Sequence, residues 1–216
     1  ITVNPSPLVN FSEADQVITS GETTTAVDLT SPTTGVTFAW TVSVPTGITG
    51  VTTLTGTDNI PAETLINSTT APLDVVYTAI ATGDIGFDCE GLPTLYTVTV
   101  NPQAQVNPVD DQVVCNDENL IIEFSTIVTG GTTTYSWTND NTAIGLNATG
   151  TGNIDITAIN TTDQPLTANI VVTPSFENNG DINTGDSITF TITVNPTGQV
   201  EANDSQVLCN GESTDA

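Results

Sequence analysis

Lysine, arginine and histidine are all absent from the 216 residues of this chain. Each absence closes a class of chemistry. Without Lys or Arg there is no basic face on which nucleic-acid phosphates or anionic lipid headgroups settle. Without His or Lys there is no Ser-His-Asp triad, no Cys-His dyad, no Schiff-base lysine and no histidine metal ligand. No apolar run approaches the roughly 18 residues of a membrane-spanning helix. The expected partners therefore include neither nucleic acid nor, by direct insertion, a membrane. The charge that remains has one sign: 25 Asp and Glu give a formal net charge of −25, and charged residues make up 12% of the chain. An average protein devotes roughly a quarter of its residues to both signs together.

What is present argues for a folded β protein. Hydrophobic residues make up 37% and the mean hydropathy is +0.05. Disorder couples high net charge to low hydrophobicity, and only the first condition holds. Threonine is the commonest residue, with 44 copies, accompanied by many Val and Ile. All three are β-branched and favour strands. Gly, Pro, Asn and Asp interrupt them at turn spacing.

The chain repeats itself. Ile1–Pro5 (ITVNP) returns as VTVNP at Val98–Pro102 and as ITVNP at Ile192–Pro196, at intervals of 97 and 94 residues. Downstream of each copy lies a turn: Gln16 to Glu22, Gln112 to Glu118 and Gln206 to Glu212. Phe38-Ala39-Trp40-Thr41 matches Tyr135-Ser136-Trp137-Thr138, and Thr55 to Ile60 matches Thr149 to Ile154. Asn67 through Leu73 matches Asn160 through Leu166. The expected division is the closing strand of a preceding repeat at 1–5, complete repeats at 6–102 and 103–196, and the start of a third at 197–216. This phase reads as an excerpt from a longer tandem array.

About 95 residues is the size of an immunoglobulin-type sandwich. Val36, Phe38, Trp40 and Val42 share one strand face, with threonines and Ala39 on the other. Tyr96, Val98 and Val100, and then Phe190, Ile192 and Val194, read as the closing strand of each unit, and Leu120, Ile122 and Phe124 as a strand near its start. The fold class is thus all-β, with Ig-like β-sandwich domains end to end. Trp40 and Trp137, on apolar strand faces, are expected in the cores.

The V-N-P-x-x-Q-V joint, the QVVCN-type turn, the Y-x-W strand and the TGTGNI…NTT…PL stretch resemble the PKD-like repeats of giant Bacteroidota cell-surface proteins. They are most similar to those of the large gliding-motility adhesins. The resemblance implies an Ig-like sandwich, export by type IX secretion and an extracellular, cell-surface location. It also implies cysteines at two positions per repeat, one in the early turn (Cys115 and Cys209, where the first repeat has Thr19) and one before the closing strand (Cys89). Each complete repeat keeps one of the two. Three readings stay open: interdomain bonds whose partners lie in neighbouring repeats, a bond between Cys89 and Cys115, or thiols that are simply buried.

The acids gather locally as Asp84, Asp88 and Glu90, as Asp110 and Asp111, and as Asp117 and Glu118. Paired carboxylates serve glycoside hydrolysis, but no aspartic-protease signature occurs and a small sandwich offers no deep cleft, so the chain is not expected to be an enzyme. Asp84, Asp88, Glu90, Asp110 and Asp111 are the candidates for Ca²⁺, the one cofactor worth weighing. No D-x-[DN]-x-[DN]-G loop supports them. Asn10, Asn67, Asn147, Asn160 and Asn203 open N-x-S/T triplets, and Asp186-Ser187-Ile188 fits a short O-glycosylation pattern. Ten acids fall in 6–102, eleven in 103–196 and four in 197–216, so acidity belongs to every unit. The expected role is a non-catalytic stalk segment of a surface filament, whose partners are neighbouring repeats of the same chain and other filament chains. A glycan- or Ca²⁺-binding module and an S-layer-like lattice subunit are the alternatives.

Overall fold

The computed structural model describes residues 6–83, 89–199 and 209–211. Alternating apolar residues and threonines become strands, and every strand pair lies within one of two stretches, 10–101 or 112–195. In the N-terminal half the strands are β1 (Asn10–Phe11), β2 (Gln16–Thr19), β3 (Leu29–Thr30), β4 (Val36–Ser43) and β5 (Ile48–Thr49). They continue as β6 (Thr55–Gly56), β7 (Ile66–Asn67), β8 (Leu73–Gly83), β9 (Cys89–Glu90) and β10 (Thr94–Asn101). The C-terminal half holds β11 (Gln112–Cys115), β12 (Asn119–Ile122), β13 (Thr132–Asn139) and β14 (Thr149–Thr151). It closes with β15 (Ile154–Thr157), β16 (Leu166–Asn178), β17 (Asp181–Thr184) and β18 (Ile188–Asn195).

The larger sheet of the first half runs β2-β10-β8-β4-β6, with β9 beside β8. Its counterpart runs β11-β18-β16-β13-β14, with β17 beside β16. The edge strands β2 and β11 lie parallel to the closing strands β10 and β18. The facing layer comprises β1-β3 and β5-β7 in one half and β12-β15 in the other. Each half buries one core between its layers. Val27, Leu29, Ile60 and Leu65 meet Trp40, Tyr77, Tyr96 and Val98; Leu120, Ile122 and Ile154 meet Trp137, Ile170, Phe190 and Ile192. This is the two-layer sandwich of immunoglobulin type.

Three of the repeated landmarks are explained by what they touch. The indole N–H of Trp40 donates to the Asp58 carbonyl at 2.8 Å, and that of Trp137 to the Gly152 carbonyl at 3.1 Å. Each ring lies against the glycine of a short neighbouring strand. A Cβ at Gly56 would sit 2.5 Å from Trp40 Cζ2, and one at Gly150 would sit 2.1 Å from Trp137 Cζ2. The turn after β2 needs a positive φ, 93° at Gly21; after β11 it is met by Asp117 at 65°, one of the few side chains tolerant of that region. In both turns a glutamate reaches back. Glu22 accepts the Thr19 N–H and Glu118 the Cys115 N–H, each at 2.9 Å.

The third landmark is the Asn of the N-x-S/T stretch. Asn67 Nδ2 donates to the Ala71 and Val100 carbonyls, both at 2.8 Å, while its Oδ1 accepts the Thr69 N–H and hydroxyl at 2.9 and 2.7 Å. Asn160 repeats this with Gln164, Val194 and Thr162 at 2.8, 2.7, 2.9 and 2.7 Å. Both asparagines are buried. They are plugs that tie a turn to the closing strand, so the side-chain nitrogens are unavailable for sugar.

Candidate functional site at the joint between the halves

The V-N-P landmark places Asn101 at the end of β10, paired with Thr19 at the end of β2. Pro102 lacks the N–H that would continue the ladder, and the chain crosses to Ala104, buried with Val128 and Phe176. The β16–β17 hairpin holds that crossing. Asn183 Nδ2 donates to the Pro102 carbonyl at 3.2 Å, and its Oδ1 accepts the Ala104 N–H at 2.7 Å. Two residues earlier, Asp181 Oδ2 accepts the Thr19 hydroxyl at 3.0 Å and Asn101 Nδ2 at 2.9 Å. Asn178 Nδ2 donates to Asn101 Oδ1 at 2.8 Å. A second line of contact comes from the loop before β13. The Thr129 N–H donates to the Thr70 carbonyl at 2.8 Å, and Gly130 lies on the Pro72 ring, where a Cβ would meet Cδ at 2.6 Å. Two separate lines of contact resist bending better than a linker alone.

Each half receives its incoming chain in the same way. A Cβ at Gly185 would stand 1.8 Å from the Ala104 carbonyl oxygen, and one at Gly91 would stand 2.0 Å from that of Pro7. Gln103 Nε2 donates to the Thr184 carbonyl at 3.1 Å, and Ser6 Oγ to the Glu90 carbonyl at 3.4 Å.

The residues singled out from the sequence lie elsewhere. Asp84 and Asp88 fall outside the described residues. Glu90 is exposed on β9, and Asp110 and Asp111 are exposed ahead of β11. Asp111 Oδ1 accepts the Thr191 N–H at 2.7 Å, and that bond holds its carboxyl below the usual range. Asp15 Oδ1 likewise accepts the Thr97 N–H, at 2.8 Å. Among the described residues no three Cys, Asp or Glu side chains gather as an ion would need. Cys89 and Cys115 are exposed thiols, unbonded to each other, and Cys209 is exposed. Trp40 and Trp137 are buried. Every aromatic ring among the described residues is buried or half-buried. Two shallow depressions beside β14, of about 350 and 460 Å³, are lined by Ser and Thr residues, with the buried Trp137 at one and the half-buried Tyr135 at the other, and most of their lining is carbon. No helix among the described residues is long and apolar enough to cross a membrane.

Asn101, Asn178, Asp181 and Asn183 were not singled out as site residues beforehand. Asn101 sits inside the V-N-P landmark, which is its one sequence signal.

Sheet order and parallel edge strand define each half as an Ig-like β-sandwich. The family model for a PKD-like domain matches residues 14–104, which is less than half of the chain. No curated protein matches the chain. Solved structures with similarity include the fibronectin(III)-like modules of CbhA from Clostridium thermocellum, at 13% identity and TM-score 0.33, covering 91% of this chain and 100% of that one. The D00-D0 domain of intimin follows at 13% and 0.40, covering 85% and 98%. The I-band fragment I67–I69 from titin has 11% and 0.42, covering 90% and 66%.

Proposed function

We propose that this chain is a structural segment of a long extracellular, cell-surface adhesin: two PKD-like repeats, at 6–102 and 103–196, that act as spacers in a stalk. The observation that carries this reading is the joint. A flexible linker needs no hydrogen bonds across it, whereas here Asp181, Asn183, Asn178 and Thr129 all bridge the halves. The burial or half-burial of every aromatic ring among the described residues and the lack of basic residues support a spacer over a ligand-binding module. Uniform negative charge repels neighbouring stalks at short range, with screening beyond about 8 Å at physiological salt. The sequence landmarks favour the large gliding-motility adhesins of Bacteroidota, exported by type IX secretion, as the kind of protein that contains it. No catalysis is assigned.

Small-angle scattering of the purified chain tests the stalk. The expected result is a single elongated particle whose maximum dimension is that of two sandwiches in line. A distribution of bent and extended forms, unchanged by Asp181→Ala, would overturn it.

A further inference from the structure

The strand registers of the two halves correspond, and the correspondence shows which positions the joint buries and which matching positions are exposed. Thr19 pairs with Asn101, and Cys115 pairs with Asn195 at the same place. The surrounding bonds agree. Ser20 N–H reaches the Asn101 carbonyl and Asn116 N–H the Asn195 carbonyl, both at 2.9 Å. Cys115 is therefore the counterpart of Thr19. Trp40 lies opposite Ala79 and Trp137 opposite Val172, so Gly83 corresponds to Phe176. Their hairpin partners are Cys89 and Asn183. Cys89 is therefore the counterpart of Asn183.

Thr19 and Asn183 both lie on the joint, at 7% exposure each, and Asn101 beside them has none. Their counterparts are more open: Cys115 and Cys89 are exposed, and Asn195 is half-buried. Within the joint, the Thr19 hydroxyl is bonded to Asp181. Asp181 lies on the same face of β17 as Asn183, two residues away, which is the strand period. The early-turn position, where Cys115 stands in the other half, thus meets the hairpin strand of the next sandwich at Asp181, two residues along one face from the position where Cys89 stands. The internal joint has cysteine at neither.

We infer that the bare end of the C-terminal half, centred on Cys115 and Asn195, is a docking face for the hairpin of another copy of this sandwich, and that Cys115 is cross-linked there to a cysteine at the Cys89 position of that copy. The inference rests on the stalk reading and names how its joints are locked. The incoming occupant is fixed by the internal joint, which already seats a hairpin of this fold on the equivalent surface. The chemistry is thiol–disulfide exchange. The thiolate of one cysteine attacks a small-molecule disulfide and expels one thiol; the second cysteine attacks the mixed disulfide and expels the other. One S–S bond forms in the protein, one breaks in the oxidant, and the two cysteines together lose two electrons and two protons. An extracellular location favours the oxidised product.

The geometry is tested inside one chain. In a Cys89→Ser, Cys115→Ser, Cys209→Ser background, Thr19→Cys is combined with Asn183→Cys or, as the control, with Thr184→Cys on the opposite face of β17. Oxidised glutathione is added, and free thiols are counted by alkylation and mass spectrometry. The Thr19/Asn183 pair should close on the order of tenfold faster than the Thr19/Thr184 pair, as access dictates. Equal rates, or retention of both thiols in a protein with parental circular dichroism, would overturn the inference. The unmodified chain provides an independent arm, because Asn183→Cys removes two bonds at the joint. On oxidation at high concentration, Cys89–Cys115 links should exceed Cys89–Cys89 and Cys115–Cys115 links, mapped after digestion at acidic residues. A statistical mixture would overturn the inference too. Scattering that still shows a straight particle would then leave the stalk standing without its cross-links.

Discussion

Glu63 is the most consequential single side chain in the N-terminal half. It is 4% exposed and has no cation to pair with. Its Oε1 accepts the Thr52 N–H at 2.6 Å, the Thr52 hydroxyl at 2.8 Å and the Thr53 N–H at 3.1 Å. Its Oε2 accepts the hydroxyl of Tyr77 at 3.1 Å. Burial, and then the Glu63 charge, push the Tyr77 phenol well above its ordinary value, so it remains a donor. The other half contains its own control. Thr23 pairs with Thr64 and Asn119 with Thr157, which aligns Thr24, Glu63 and Tyr77 with Leu120, Ile156 and Ile170. A polar trio in one core is thus an apolar trio in the other. Glu63→Ile alone strands the Tyr77 hydroxyl in the core, at a cost of about 1–3 kcal/mol, and returns the Thr52 and Thr53 groups to water. The expected net loss is about 2–3 kcal/mol, or a urea midpoint lowered by about 1 M at a slope near 2 kcal/mol/M. Glu63→Ile with Tyr77→Ile removes the stranded hydroxyl together with its acceptor, leaves the Thr24 hydroxyl on the backbone N–H of residue 63, and should return stability to within about 1 kcal/mol of the parent. Urea unfolding read by Trp40 fluorescence, in a Trp137→Phe background, measures this half alone. A single variant as stable as the parent, or a double variant no better than the single, would refute the reasoning.

Asn160→Ala should cost the C-terminal half about 1–3 kcal/mol, because the buried Val194 carbonyl loses its donor and the turn through Thr162 and Gln164 loses its tie; Trp137 fluorescence in denaturant checks it. Asp111 and Asp140 are both held below the ordinary 3.8, the first by bonds from Thr191 and the second by the Asn169 side chain and then its backbone. A depressed carboxylate adds stability that is complete above its unfolded value and vanishes as pH falls through the folded one. Asp111→Asn with Asp140→Asn should therefore flatten the fall in melting temperature below about pH 4, and leave its dependence above about pH 5 unchanged. Sodium chloride should raise the melting temperature steadily from about 0.01 M to about 0.5 M, since it screens repulsion among 25 acids and has no attractive ion pair between side chains to weaken. A fall over that range, measured by calorimetry, would contradict this.

Strand faces were legible from alternation, since a residue's side of the sheet is set by position alone. The repeat was legible because its landmarks are residues that geometry does not release: the Trp with the glycine under it, the turn with positive φ, the asparagine plug. The plug is legible as a repeated stretch and as an N-x-S/T triplet, but not as a tie to the closing strand. An Asx-type turn and a glycan acceptor share that local sequence, and burial separates them. The joint was the least legible part. Thr19, Asn101 and Asp181 are brought together from positions 80 and 162 residues apart, and nothing in the neighbourhood of Asp181 or Asn183 marks them as other than loop polar residues. Glu63 was hidden for a related reason. Its partners Thr52 and Tyr77 lie on a loop and on β8, and no local pattern announces that an acid will face inward. Asp111 drew notice as half of an acidic pair suited to a cation, yet its oxygen is used by a backbone N–H of β18.

The missing cations explain the side chains that replaced them. A carboxylate that contacts protein needs donors, and in most chains Lys and Arg provide them together with compensating charge. Here the donors are neutral. Thr99 serves Asp74 at 2.7 Å, Asn169 serves Asp140 at 2.7 Å, and Thr19 with Asn101 serves Asp181. Hydrogen bonds of this kind satisfy the oxygens without cancelling the charge. A threonine- and asparagine-rich chain can therefore fold specifically and still keep its whole net charge. The consequence differs with direction. Side by side, two such surfaces present carboxylates to carboxylates, with no basic group to bridge them. At the joint, one carboxylate is presented to a hydroxyl and an amide on the neighbouring sandwich, so attraction needs no opposite charge. Contacts along the proposed stalk are favoured while contacts between stalks are penalised, and a single compositional rule yields both.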